Sequence, residues 1–336
     1  MHGPKLMRIL GNKDVLSLAF GAMIGWGWVV TTGLWITSAG SLGAILAFVI
    51  GGLLVIFVGL AYAELASAMP LAGGEHVYSY KAMGRGASFI TTWAIILGYV
   101  SVVAFEAVAL PTVFEYLIPN YSKGYLYTIA GWDVTITWAG IGMLGSILVT
   151  WINYRGIKLT TAINIIFTLL ILIAGILLIT GGTISGNTEN MKPLFDNGMA
   201  GILTVLIITP FMFVGFDVIP QASEEINLPQ KRIGQLLIVS VIFAIVWYVA
   251  IIFGVSRVLT PQEMNQSSLV TADAMAKAFG GSKWWANILI LGGNWRDYYK
   301  LDRLLCWRQP GHLCISKGRN ASKITGRVTS EVQYSL

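Results

Sequence analysis

The sequence predicts an all-α polytopic membrane protein with two interrupted spans, on three observations. The 336-residue chain is 55% hydrophobic and only 11% charged, with a mean hydropathy of +0.71. Its apolar residues fall into runs of about 20, the length that crosses the hydrocarbon core of a bilayer. Two of those runs carry residues that a continuous helix tolerates badly, Gly21, Gly25 and Gly27 in the first and Pro210, Gly215, Asp217 and Pro220 in the sixth.

In chain order the spans fall at about 15–38, 43–68, 88–110, 134–152, 159–181, 200–222 and 234–258, with an eighth begun at Trp285. Lys5, Arg8 and Lys13 precede the first span, and no cleavable signal pattern follows them. Basic residues resist translocation, so the distribution of Lys and Arg orients the chain. With the N-terminus in the cytoplasm, Lys5, Arg8, Lys13, Lys81, Arg85, Arg155, Lys158, Lys231 and Arg232 lie inside. Lys123, Lys192, Arg257, Lys277 and Lys283 lie outside. This gives a multi-pass protein of the cell membrane with residues 1–14 as a cytoplasmic N-terminus.

The net charge of +6 does not mark a nucleic-acid binder, because residues 294–336 alone carry eight basic and three acidic residues. Both cysteines, Cys306 and Cys314, are in that tail, so they say nothing about the redox compartment of the body. No cofactor motif is present. Isolated acidic residues without a nucleophile–base pair or a histidine cluster argue against an enzyme.

The first interruption, Gly21-Ala22-Met23-Ile24-Gly25-Trp26-Gly27-Trp28, should loosen the helix, since each interior glycine costs on the order of 1 kcal/mol relative to alanine. Freed backbone in a bilayer must face protein, water or a ligand, so the break is itself a site. The second, Thr209-Pro210-Phe211-Met212-Phe213-Val214-Gly215-Phe216-Asp217-Val218-Ile219-Pro220, adds a carboxylate that also reads as a helix cap. Five spans separate the two, the pattern of two five-helix repeats of inverted topology with a substrate held between the breaks. Unpaired N–H groups suit a carboxylate, and unwound carbonyls with Asp217 suit an ammonium. The expected substrate is therefore a small zwitterion.

Glu106 stands deep in the third span and should face the bundle interior, as a proton carrier or substrate contact, or simply as a protonated carboxyl bonded to a neighbouring helix. His76 reads as a surface or interfacial residue. Gly140, Gly142 and Gly145 suit close helix packing in the fourth span. Residues 268–279 alternate apolar and charged positions like a short amphipathic helix lying at the membrane interface.

The order of Gly-Ala-Met-Ile-Gly-Trp-Gly, Tyr-Ala-Glu-Leu-Ala, Gly-Gly-Glu-His-Val-Tyr, Asn-Tyr-Arg-Gly-Ile-Lys and Phe-Val-Gly-Phe-Asp, followed by Glu-Glu-Ile-Asn-Leu-Pro-Gln-Lys-Arg, resembles the amino acid-polyamine-organocation superfamily of permeases. The resemblance covers residues 10–293. It implies the LeuT-like fold of inverted five-helix repeats, here residues 15–181 and an incomplete 200–293, and alternating-access transport of amino acids or related amines. Ile24, Gly25, Trp26 and Gly27 would then offer backbone to the substrate carboxylate. Phe213, Val214, Gly215 and Asp217 would face its amine, with Phe213 as an aromatic gate. The superfamily usually has a small residue where Trp26 stands. Where proton-coupled relatives carry a lysine in the fifth span, this chain has Ile171, leaving coupling to Glu106, Asp217 or an exchanged amino acid. A seven-helix receptor is the alternative on span count, but the seventh span has no lysine for a retinal and a receptor does not explain the paired breaks.

After Gly293 the sequence turns polar, with Arg296, Asp297, Lys300, Asp302 and Arg303 where the eighth span should continue. Synonymous codons for residue 294 onward, read one base later, can encode IGEIITSWIAFYVGG and a family-like continuation. Residues 294–336 are therefore expected to be an out-of-frame, unstructured product, and the truncated chain to be inactive in transport.

Overall fold

The computed structural model describes residues 10–69, 73–129, 131–155, 157–221 and 226–293; the sequence-based reading of 294–336 lies outside them. The chain is mostly helical. The interrupted first span comprises α1 (Asn12–Met23) and α2 (Gly27–Ala39), bent by 53° at the break. Then come α3 (Ser41–Ala68), α4 (Glu75–Leu117), α5 (Ile136–Arg155) and α6 (Ile157–Ser185). The sixth span comprises α7 (Gly198–Met212) and the single turn α8 (Val218–Gln221), followed by α9 (Gln230–Val258). Two short helices, α10 (Pro261–Gln266) and α11 (Val270–Ala278), precede α12 (Lys283–Gly293). Each of the eight apolar runs thus forms helix. The large side chains of Phe57, Ile90, Leu97 and Ile147 are exposed on its outside, the apolar exterior expected of a lipid-facing surface.

The centre of the bundle is the packing of α3 against α9 and α7. A side chain at Gly59 would meet Leu237, and one at Gly52 would meet Ile245, so these glycines are what allow the helices to close. In the fourth span only part of the glycine expectation holds: Gly142 packs on the Ala107 carbonyl of α4, whereas Gly140 faces open space.

Three features depart from the sequence-based reading. First, β1 (Tyr125–Ile129) and β2 (Trp132–Thr135) pair antiparallel, so the fourth span starts at Ile136 rather than at 134. Second, α4 reverses at Gly84 (φ +82°), where a side chain would be strained. His76 Nδ1 lies 2.9 Å from Ser88 Oγ and 2.8 Å from Thr92 Oγ1. In a straight helix, residues 12 apart stand about 18 Å away from each other, so 75–83 is a separate arm folded back on the span. His76 is its half-buried staple, not a surface residue.

Third, α11 is packed into the protein on its apolar side. Thr271, Ala272, Ala274 and Met275 are fully buried, and the helix packs against α2, α6 and α12. Its amphipathic pattern is satisfied by protein: Val270 fills the space over Gly33, and Thr271 Oγ1 donates to the Val29 carbonyl at 2.6 Å. Asp273, on the same helix, accepts from Tyr116 of α4 at 2.7 Å. Thr271→Val keeps the shape but removes that interhelical hydrogen bond, a loss of about 0.5–1.5 kcal/mol. It should raise amide hydrogen exchange across residues 270–278 and leave α3 and α9 protected; unchanged exchange in α11 would remove the anchoring role.

Candidate functional site

The two interruptions face each other. A side chain at Gly215 (φ +120°) would sit 2.8 Å from the Ala22 backbone carbon, and one at Gly27 would sit 2.8 Å from the Met212 terminal methyl. Residue 22 therefore meets 215, while 27, further along the first span, meets 212, further back in the sixth. The broken segments cross antiparallel, with α1 beside α8 and α2 beside α7.

Local sequence explains each break. In the first, Ile24 leaves helical geometry (ψ 85°) and α2 restarts only when Val29 N–H donates to the Trp26 carbonyl at 2.8 Å. In the sixth, residues 213–217 are turn. The Asp217 carboxylate accepts from the Gly215 N–H (3.2 Å), from Tyr99 of α4 (2.7 Å) and from Gln221 (3.0 Å). It bonds the unwound segment from within, to Gly215 before it rather than to the first amides of α8.

The residue that ties the breaks together is Tyr248, fully buried on α9. Its hydroxyl lies 2.9 Å from the carbonyl of Met23 and 2.9 Å from that of Met212, the last residues of α1 and α7. Those carbonyls are helix C-termini without intrahelical partners, so one hydroxyl proton shared between them holds both ends. Its ring is wedged among Trp35, Phe48 and Phe213 at centroid distances of 6.0, 5.0 and 5.6 Å. Sequence reading passed over Tyr248, though a tyrosine inside an apolar span signals a hydroxyl in need of a partner.

Of the residues expected at the site, Gly27 meets Met212 and Gly215 meets Ala22. Ile24 and Trp26 are buried, Val214 half-buried. Phe213 is fully buried with its ring toward Phe48 and Tyr248, in the core rather than across an opening. Glu106 is buried, as an interior-facing acid must be. It follows Phe105, whose ring lies against Gly27 and Phe211. Asp217 bonds Tyr99, seven residues or about 10 Å down the same helix, so the two expected coupling residues occupy different levels. Ile171, in the position considered for a lysine, is buried in the apolar core.

A bundle of long apolar helices built around two apposed, interrupted spans defines a polytopic membrane protein. Residues 10–293 match the family model described as amino acid permease, and the chain belongs to that family. It is 28% identical over 85% of its length to the branched-chain amino acid permease BcaP of Bacillus subtilis, covering 62% of that protein. It is 26% identical over 85% of its length to the methylthioribose transporter of the same organism, again covering 62%. With the chloroplastic cationic amino acid transporter 9 of Arabidopsis thaliana it shares 30% identity over 86% of its length, covering 52% of that protein. The chain thus spans less than two thirds of the length of these relatives, and the family match ends where the sequence turns polar.

Proposed function

We propose that the protein is a secondary transporter of the kind that moves a zwitterionic amino acid, or a related amine, across the cell membrane by alternating access, with its N-terminus in the cytoplasm, and that this chain, out of frame after Gly293, is itself inactive in transport. The observation that carries this reading is the apposition of the two breaks at Ala22–Gly215 and Gly27–Met212 under the Tyr248 hydroxyl. The backbone of Ile24, Gly25, Trp26 and Gly27 takes the substrate carboxylate, and Phe213, Val214 and Gly215 with Asp217 take the ammonium. The antiparallel crossing is what two inverted repeats, 15–181 and 200–293, would produce. Coupling is to a proton, with Glu106 and Asp217 as its carriers, or to an exchanged amino acid.

Two of the three relatives are named for amino acids and the third for methylthioribose, a neutral sugar. A site offering both a positive and a negative helix end favours the amino acid. Transporter relatives likewise favour this reading over a seven-helix receptor. The test is a thermal-shift screen of the purified chain against amino acids, their decarboxylated amines and methylthioribose. Stabilisation by zwitterions but not by the corresponding amines or the sugar is expected; stabilisation by methylthioribose alone would overturn the assignment. Trp26→Ser should enlarge the set of amino acids that stabilise the chain, and an unchanged set would put the indole outside the pocket.

Residues 294–336 are proposed to be an out-of-frame product. Sequencing the gene around codon 293 decides this, and an uninterrupted frame with no family-like reading one base away would refute it.

A further inference from the structure

The folded-back arm that opens α4 meets the second half of the sixth span, and a buried acid lies at the junction. Glu75 is the first residue of α4 and only 6% exposed. Its Oε1 is buried without a hydrogen-bond partner, and Glu75 forms no ion pair among the described residues. Gly74 backs directly onto Pro220 and Gln221, which brings the carboxyl beside the Asp217 charge. The groups facing it are Tyr62 of α3, Tyr78 of the same arm, and Asp217 and Gln221 of the sixth span. Tyr99 donates to Asp217, Gln221 is shared between Asp217 and the Glu75 carboxyl, Tyr62 bonds that same carboxyl, and the neighbouring His76 is turned to Ser88 and Thr92.

An ionised carboxylate buried with an orphaned oxygen, next to another carboxylate, is penalised twice: by desolvation and by like-charge repulsion. A single proton relieves both. We propose that Glu75 is a proton-binding site, and that its protonation latches the arm before α4 to α8 and the sixth-span break. Losing the proton leaves two negative charges across that junction and drives the arm and α8 apart. This rests on the transport reading only in its consequence: there, proton release at Glu75 would open this end of the bundle. It also differs from coupling through Glu106, which sits on the other side of the crossing, beside Phe105.

The site can be tested on the full chain in lipid nanodiscs by infrared difference spectroscopy across a pH titration, in choline and in sodium buffer. A protonated-carboxyl carbonyl band that disappears as pH rises is expected, with loss of that band in Glu75→Gln. Tyr62→Phe, which keeps the carboxyl and removes a facing hydroxyl, should shift the band, and it serves if the glutamine variant fails to fold. A band unchanged in both variants would overturn the proposal. So would a band abolished by sodium at constant pH, which would make the ligand a metal cation. Amino-acid-dependent thermal shift of Glu75→Gln, measured at the acidic end, should persist. If the band behaves as expected while no amino acid stabilises any variant, the transport reading fails and the proton site stands.

Discussion

Gly215→Ala is expected to cause the larger of two stability losses at the paired breaks. The residue sits at φ +120°, where an L side chain costs about 1–3 kcal/mol in backbone strain. Its new methyl would also stand 2.8 Å from the Ala22 carbon and 2.9 Å from the Ala22 oxygen. Neither neighbour is a flexible side-chain tip that can swing away, so overpacking adds about 1–3 kcal/mol more. The result to look for is a large fall in the thermal midpoint of the purified chain, or loss of its monodisperse form. Gly140→Ala is the control, because nothing lies within 4 Å of the methyl it adds and, inside α5, the change should be neutral or stabilising by up to about 1 kcal/mol. Equal stability of the two variants would mean that the breaks do not press on each other at this point.

Tyr248→Phe should produce the smaller loss, with a different signature. The ring and its packing against Trp35, Phe48 and Phe213 are retained, so the change isolates the hydroxyl. Its loss takes a donor from the buried carbonyls of Met212 and of Met23, the latter still receiving the Gly25 N–H at 3.1 Å, at about 1–3 kcal/mol. It also unties the ends of α1 and α7, whose positions set the distance between the two halves of the proposed amino-acid site. Amino-acid-dependent stabilisation should therefore fall along with the midpoint. Tyr116→Phe separates these effects: it too removes a hydroxyl bond, to Asp273, but far along α4 at the junction with α11. It should lower the midpoint while leaving the amino-acid response intact. A Tyr248 variant that keeps the full amino-acid response would exclude the hydroxyl from positioning the site.

Much of this was legible from residue order because a bilayer leaves few options. Apolar runs of span length became helices at each expected place, and the two interruptions were readable from Gly25, Gly27, Pro210 and Gly215 since those residues act on their own backbone. What residue order could not supply was contact between distant segments. The pattern in 268–279 is the same for a helix whose apolar face meets lipid and for one whose apolar face meets protein. Only Gly33, which clears room for Val270, and the Val29 carbonyl, which receives Thr271, decide for protein. The arm at 75–83 was hidden similarly, because its reversal at Gly84 is held by bonds reaching from His76 to Ser88 and Thr92.

The same division runs through the candidate site. Sequence by itself determined that the chain crosses a membrane, that its first and sixth spans break, and that Glu106 is an interior acid, because hydropathy, helix propensity and the cost of burying charge are properties of single residues. The tertiary structure decided that Ala22 meets Gly215, that Phe213 turns into the core, that Asp217 is held by Tyr99 and Gln221, and that one hydroxyl from α9 joins two helix ends 189 residues apart in sequence. Those facts depend on which carbonyls and side chains are brought within hydrogen-bonding distance, and hydrogen bonds are too short-ranged and directional to be written in composition or periodicity.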